Sequence, residues 1–343
     1  MILVDKDMLL GKAPMRISFA GGGTDLEEYH SKYDGYSLAY AIDKYTYVMM
    51  RFRKDKKFQG FSPDFASHIP PNRHDRVETL QGHEIVLACM KELKFSRGVD
   101  TFFCSDVGPG SGLGASSSMT TNMVKVILAI QNKEWSKNKI AMKAYKIGHD
   151  VLRWKIGKQD EFAASYGNLN LYKFTKDKVT VEPIILNESS RSELQKHSML
   201  FYLSPRKHSS EILESQIKNI NRTNETTMMA LHKVKSLALE MRDALKNNDL
   251  TKFADIINKG WEEKKKYAAG VTNASIDKAA KLALSHGADA LKVTGAGGGG
   301  HLFVYADPSK QSGIEKSLKK HGIFKVDFKY QSIGATVFDL HNL

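Results

Sequence analysis

Residues 108–120, GPGSGLGASSSMT, constrain this chain more than any other stretch, because they place four glycines and four serines between an apolar run, VDTFFCSDV, and a helical pattern. Glycines at Gly108, Gly110, Gly112 and Gly114 allow main-chain conformations closed to other residues and let a ligand approach the backbone N–H groups directly. Met119, Met123, Ile127 and Ile130 keep near-helical spacing, which predicts a helix beginning within ASSS. Its first turn carries unpaired amides and a positive dipole end, a place where an anion fits. Taken alone, the stretch is equally a Gly-rich turn with serine caps.

With 343 residues, 41% of them hydrophobic, the chain can build a substantial core and is expected to form two domains. Residues 1–11 carry Asp5 and Asp7 without a long apolar core, which argues against a secretory leader, and no apolar run approaches the ~20 residues of a membrane span. Cys89 and Cys104 have no partners at metal-ligand spacing and read as reduced core thiols. The expectation is a cytoplasmic protein without a membrane partner. The net charge of +13 would suit nucleic acid, an anionic membrane or polyanionic small substrates. Lysine blocks such as EEKKK (262–266) and KSLKK (316–320) lie in helix-like segments with acids nearby and read as solvated faces. No RNA- or DNA-binding signature accompanies them, so no nucleic-acid partner is expected. None of these features bears on oligomeric state.

Along the chain, RISFA reads as a strand running into three glycines and a Thr-Asp pair, and residues 36–53 as two strands or a bent one. Residues 55–76 read as loop with short strands, 83–93 as a helix, 144–157 as a helix ending at Gly157, and 168–174 and 179–186 as strands. The polar stretch 187–197 is the candidate boundary, which places the domains at 1–187 and 188–343. Beyond it, strands at 198–204, at ADALKVTG, at GGHLFVYA and at FKVDFKYQS bracket helical material, the order of a compact α+β domain.

No G-x-x-x-x-G-K-[ST] occurs, which excludes the usual P-loop. One G-x-G-x-x-G, at Gly295, Gly297 and Gly300, leads into strand-like HLFVYA where a dinucleotide fold needs a helix. Taken in order, APMRISFAGGGTD (13–25), GPGSGLGASSSMT and KVTGAGGGGHLF (292–303), together with KIGKQDEFAASYG (155–167), resemble the motifs of the GHMP kinases, the family of galactokinase, homoserine kinase and mevalonate kinase. Within it, RISFAGGGTD, GKQDEFAAS and TGAGGGGH look most like the sugar kinases that phosphorylate D-glycero-D-manno-heptose 7-phosphate at its anomeric oxygen. The resemblance covers essentially all of the chain after residue 12.

The resemblance implies an α+β GHMP-kinase fold with a ribosomal-protein-S5-domain-2-like N-terminal domain and a ferredoxin-like C-terminal domain, and a cytoplasmic enzyme that takes ATP, Mg²⁺ and a sugar phosphate. It implies that the loop of Gly110, Ser111, Gly112, Leu113, Gly114, Ala115, Ser116 and Ser117 wraps the ATP phosphates, with Ser116 beside the metal and Ser117 its nearest competitor. Asp160 matches the family aspartate beside the acceptor hydroxyl, and Arg16 the cation near the transferring phosphoryl group. The bland alternative is a structural Arg16–Asp160 salt bridge. Gly22, Gly23, Thr24 and Asp25 match a sugar-contacting segment, although Thr24 and Asp25 also suit a helix cap before LEEYH. Gly297 and Gly298 would bring a second backbone loop to the substrate, or form a tight hairpin, or both. Arg206 and Lys207 offer charge for a sugar phosphate beside a helix expected near Ser209.

Two departures stand out. The heptose kinases usually carry an acidic metal-holding residue in an Ile-Glu-Arg-like run, where this chain reads Ile147, Gly148, His149, Asp150; two positions along a helix turns Asp150 about 200° away. The usual Gly-Gly after the catalytic segment is Gly167-Asn168. Another sugar or sugar-phosphate acceptor, or a non-catalytic sugar sensor on the same scaffold, is the alternative reading, with Gly148 favouring the sensor.

Overall fold

Runs rich in Tyr, Val, Ile and Phe assemble into two sheets, of eight and of four strands, each covered by helices. The structure, a computed structural model, describes residues 8–73, 82–205 and 209–340. In the larger sheet β1 (Met8–Ala20) pairs antiparallel with β2 (Gly35–Arg53). The Tyr-rich segment expected as two strands or one bent strand is this single long β2. Its first part pairs with β6 (Leu169–Phe174) and its second, from Thr46, with β5 (Gly98–Ser105). Register shifts in the β1–β2 ladder at Pro14/Met15 and Ser18/Ala20 bend the pair; Pro14 has no N–H to give to a ladder. β3 (Phe58–Ser62) runs parallel to β5 and pairs with β4 (Ser67–Asn72), while β7 (Val179–Pro183) extends the sheet beyond β6.

Helices α2 (Glu84–Glu92), α3 (Ala115–Ile130), α4 (Lys137–Lys146) and α5 (Gln159–Tyr166) cover this sheet. α3 lies directly on β1, where Gly11 leaves no room for more: a Cβ there would sit 2.2 Å from Asn122 Oδ1. The polar positions of α3 are spent on the sheet, Ser118 Oγ bonding the Ala13 carbonyl at 3.0 Å and Asn122 Nδ2 donating to the Thr46 carbonyl at 2.9 Å. The helix expected to run to Gly157 stops early. α4 ends at Lys146, one π turn covers Ile147–Val151, and Arg153, at φ 60°, turns the chain away. Trp154 and Ile156 then fold back over Gly148, whose missing side chain makes room for them.

The smaller sheet has the order β11 (Phe324–Lys325), β8 (Ser198–Ser204), β10 (Gly300–Tyr305), β9 (Ala290–Val293). Around it pack α7 (Ser209–Asn221), α8 (Glu225–Lys246), α9 (Leu250–Lys264), α10 (Ala274–Ser285) and α11 (Pro308–Lys319). Stretch 187–197, the polar candidate boundary, is a helix, α6 (Glu188–His197), capped by the Asn187 side chain; it connects β7 of the larger sheet to β8 of the smaller. FKVDFKYQS forms a strand only at Phe324–Lys325. The chain then returns to the larger sheet, where Tyr330 bridges Ile42 and β12 (Thr336–Asp339) joins the outer edge of β1. Aromatic rings join the two sheets, with Phe19 of β1 edge-on to Phe253 of α9 at 5.0 Å and tilted against Phe303 of β10 at 5.4 Å. Such pairs add about 0.5–1.5 kcal/mol each beyond area burial. No described helix is long and apolar enough to cross a membrane.

Candidate active site

Loops from all three glycine-rich motifs and the start of α5 enclose one cavity of about 390 Å³. In the second motif Gly110, Gly112 and Gly114 have φ of 75°, 81° and 80°, left-handed values that explain the glycines. Gly114 caps α3 and no side chain bonds the helix start, so the serine-cap alternative is not what forms here. The three serines at the helix start separate by role. Ser116 is exposed on the cavity wall, Ser117 is buried beside Glu161, and Ser118 is spent on β1. Gly110, Ser111, Gly112, Gly114 and Ala115 also line the cavity, whereas Leu113 turns into the core.

β1 holds this loop in place. The Arg16 amide donates to the Leu113 carbonyl at 3.0 Å and Arg16 Nη1 to the Gly112 carbonyl at 2.9 Å. The rest of the guanidinium faces Asp160 at the start of α5, Nε to Oδ1 at 2.8 Å and Nη2 to Oδ2 at 2.7 Å. The pair is a salt bridge, and it also lines the cavity, Arg16 at 3% exposure and Asp160 at 22%. A Cβ on Gly114 would lie 3.0 Å from Asp160 Oδ2, so the carboxylate sits against the uncapped end of α3.

In the first motif Gly22, Gly23 and Asp25 line the cavity. Asp25 accepts from the Gly23 amide at 2.9 Å and the Gln159 amide at 3.2 Å; burial, with the Asp160 charge adding to it, raises its carboxyl above the usual range. It is not a helix cap, since α1 (Glu27–Tyr33) has Leu26 at its N-cap and no side-chain bond. Thr24 departs from expectation. Its hydroxyl is fully buried between the Gly21 carbonyl and the backbone of Tyr36, away from the cavity. With its one donor spent and the side chain fully buried, the hydroxyl is not offered to a sugar.

The third motif is a hairpin between β9 and β10 that also faces the cavity, through Gly295 and Ala296. Gly297 and Gly298 stand behind that rim, where added Cβ atoms would meet the Val271 carbonyl at 2.5 Å and Ile212 Cδ1 at 2.7 Å. Their glycines serve packing against α7 and the turn before α10. The hairpin abuts the second motif, since Cβ atoms on Gly112 and Gly300 would lie 2.8 Å from Thr294 Oγ1 and 2.6 Å from the Ser111 carbonyl. Arg206 and Lys207 lie outside the described residues.

Three features escaped the sequence reading. Lys292 of β9 lines the cavity at 6% exposure and donates to the Phe19 carbonyl at 2.8 Å; burial, with the Arg16 charge adding to it, pushes its ammonium down to about 7. A lysine inside the otherwise apolar ALKV was the available signal. Glu161 is buried beside Asp160, which places its carboxyl well above the usual range through desolvation first and the Asp160 charge second. Residues 153–157, expected as the end of a helix, form part of the cavity wall.

Residues 83–168 match the GHMP kinases N terminal domain and residues 241–323 the GHMP kinases C terminal domain. The chain is 31% identical to the D-glycero-alpha-D-manno-heptose 7-phosphate kinase of Campylobacter jejuni subsp. jejuni serotype O:2, over 94% of this chain and 96% of that one. Among solved structures, a putative sugar kinase from Campylobacter jejuni superposes with a TM-score of 0.79 at 28% identity, covering 97% and 99% of the two chains. A D-glycero-D-manno-heptose 1-phosphate kinase from Bacteriodes thetaiotaomicron shares the fold, with a TM-score of 0.81 at 24% identity over 96% and 98%. This chain belongs to the GHMP kinase family, whose members are ATP-using phosphotransferases with an alcohol group as acceptor.

Proposed function

We propose that this kinase transfers the γ-phosphoryl group of ATP to the anomeric hydroxyl of D-glycero-D-manno-heptose 7-phosphate, giving heptose 1,7-bisphosphate and ADP. The observation that carries the reading is the joining of Arg16 to both the phosphate loop and Asp160 within one cavity. The heptose 7-phosphate kinase likeness over nearly the whole chain supports the choice of acceptor. The uncapped amides at the start of α3, with Gly110 to Ser117 around them, hold the ATP phosphates. Asp160 keeps lone pairs beyond those bonded to Arg16 and uses one to accept from the anomeric O–H, orienting its oxygen in line with the γ-phosphorus. As the new P–O bond forms and the bond to ADP breaks, the hydroxyl proton passes to Asp160, and Arg16 offsets charge on the transferring group. Asp25, Gly22 and Gly23 offer the sugar hydroxyls a carboxyl and backbone groups on the same wall.

Mg²⁺ fits as a companion of the nucleotide. No cluster of three His, Cys, Asp or Glu side chains gathers to hold it among the described residues, and Asp150 pairs with His149 away from the cavity wall. The exposed Ser116 hydroxyl is placed to complete a shell made mostly by phosphate oxygens and water. When bound, the ion would withdraw charge from the transferring phosphate.

The deciding experiment offers heptose 7-phosphate, heptose 1-phosphate and other sugar phosphates with ATP and Mg²⁺. ADP release and phosphorus NMR of the product then locate the new phosphate. Transfer to the anomeric oxygen of the 7-phosphate is expected. Faster turnover of another acceptor overturns the assignment.

A further inference from the structure

The cavity wall holds more cations than its own chemistry uses. Arg16 is bound to Asp160, Lys264 bonds the Val293 and Gly295 carbonyls, and Lys292 bonds that of Phe19. Arg153 and Lys155 line the same cavity, both exposed, and neither has a partner among the described residues. They do not sit on a loose loop. Between and after them Trp154 and Ile156 pack over Gly148, where a Cβ would lie 2.8 Å from Ile156 Cδ1 and 3.3 Å from the indole. The Trp154 amide donates to the Gly148 carbonyl at 3.0 Å. Beyond them Gly157 touches the Asp25 carboxylate, which a Cβ at that position would meet at 2.0 Å. The segment is thus tied at one end to the helical core and at the other to the acceptor side of the cavity. Arg153 holds φ 60°, a conformation an arginine rarely adopts, so this turn is imposed by the packing on both sides of it.

We infer that Arg153 and Lys155 are the acceptor's phosphate clamp, specificity residues that bind the anionic group distant from the hydroxyl being phosphorylated. This rests on the reading of the acceptor as a sugar phosphate and deepens it by naming the groups that select for the phosphate. A planar guanidinium and an ammonium on one cavity wall suit a phosphate dianion, the first through paired N–H donors and the second as a point charge. Held two and four residues from Gly157 and its contact with Asp25, Lys155 and Arg153 sit on the first-motif side of the wall and leave the start of α3 to the nucleotide.

The test compares wild type with Arg153→Ala, Lys155→Ala and Lys155→Arg, using heptose 7-phosphate and unphosphorylated heptose as paired acceptors. Each alanine variant is expected to lower the ratio of kcat/KM between phosphorylated and unphosphorylated acceptor by about ten- to a hundredfold, the scale of one lost hydrogen bond to a charged group. Lys155→Arg should restore most of it. A rise in the KM for ATP with no change in that ratio would overturn the inference, because the cations would then serve the nucleotide. So would an equal loss for both acceptors. Should the wild type prefer a different phosphorylated sugar, the heptose assignment falls, and the same ratio measured with that sugar and its unphosphorylated form decides the clamp. Should it turn over none, calorimetry of inorganic phosphate on the ADP-saturated enzyme decides it: binding lost in Arg153→Ala supports the clamp, and binding equal to wild type overturns it.

Discussion

Arg16 grips both carboxylate oxygens of Asp160, at 2.8 and 2.7 Å, across 144 positions of sequence. A third donor of the same guanidinium holds the Gly112 carbonyl, so one side chain connects the loop proposed to hold the ATP phosphates to the residue proposed to face the acceptor. Asp160→Asn, nearly isosteric, should therefore lose about 10²–10⁴ in kcat while keeping nucleotide binding and far-UV circular dichroism. Arg16→Met should slow transfer and also raise the KM for ATP, because the loop loses its anchor. The double variant should lose less than the product of the single losses, since the two side chains bond each other. Independent losses would show that the pair does not work as a unit.

Gly112 has two reasons to be glycine, a φ of 81° and a neighbour, Thr294, that an added Cβ would approach to 2.8 Å. Gly112→Ala should cost about 1–2 kcal/mol from the left-handed backbone alone, with the contact adding to it. Chemical denaturation should show that loss and calorimetry a weaker ATP affinity. Normal ATP affinity in a folded Gly112→Ala would mean that the loop serves only as a turn.

Lys292 makes stability depend on pH in a defined direction. In the unfolded chain its ammonium titrates near 10.5, in the folded protein near 7. Between those values the unfolded state binds more protons, so this residue's contribution makes stability rise with pH, and its cost is present in full below pH 7. Lys292→Met removes that cost. Its melting temperature relative to wild type should be most favourable below pH 7, with the advantage fading towards pH 10. A pH-independent difference would mean that the ammonium is not desolvated. Binding of a polyanionic nucleotide in the cavity that Lys292 lines should also take up protons near pH 7.5, visible as a buffer-dependent enthalpy.

For the metal, Ser116→Ala should weaken apparent Mg²⁺ affinity about fivefold, the scale of one hydroxyl contact of about 1 kcal/mol. Asp150→Asn should leave it unchanged, because Asp150 is engaged by His149 and more than half exposed. The opposite pattern in a Mg²⁺ titration of turnover would assign the ion to Asp150.

Local features were readable before any tertiary contact was known. The start of α3 was visible because its glycines and apolar spacing are properties of a short segment, and the structure places the first helical residue at Ala115. The hairpin of the third motif was visible for the same reason. The early end of α4 was not, because residues 144–157 keep a helical composition and the chain leaves the helix only to let Trp154 and Ile156 cover Gly148. Likewise Thr24 and Asp25 are adjacent and both polar. Their fates differ because the Tyr36 backbone of β2 takes up the Thr24 hydroxyl, while the amides of Gly23 and Gln159 hold Asp25 at the cavity.

By itself the sequence determined that the loop of Gly110 to Gly114 can take left-handed backbone before a helix, since glycine content acts within a few residues of where it stands, while Arg16 and Asp160 stood out through the order of motifs that the chain shares with its family. Only the tertiary structure decided which of those groups share a cavity. Lys292 reaches Phe19 across 273 positions, and Arg153 and Lys155 line the cavity on a segment whose partly buried Trp154 and Ile156 pack over Gly148. Such placements follow from long-range packing, in which a side chain's surroundings come from strands and helices far away in the chain, and no local pattern encodes them.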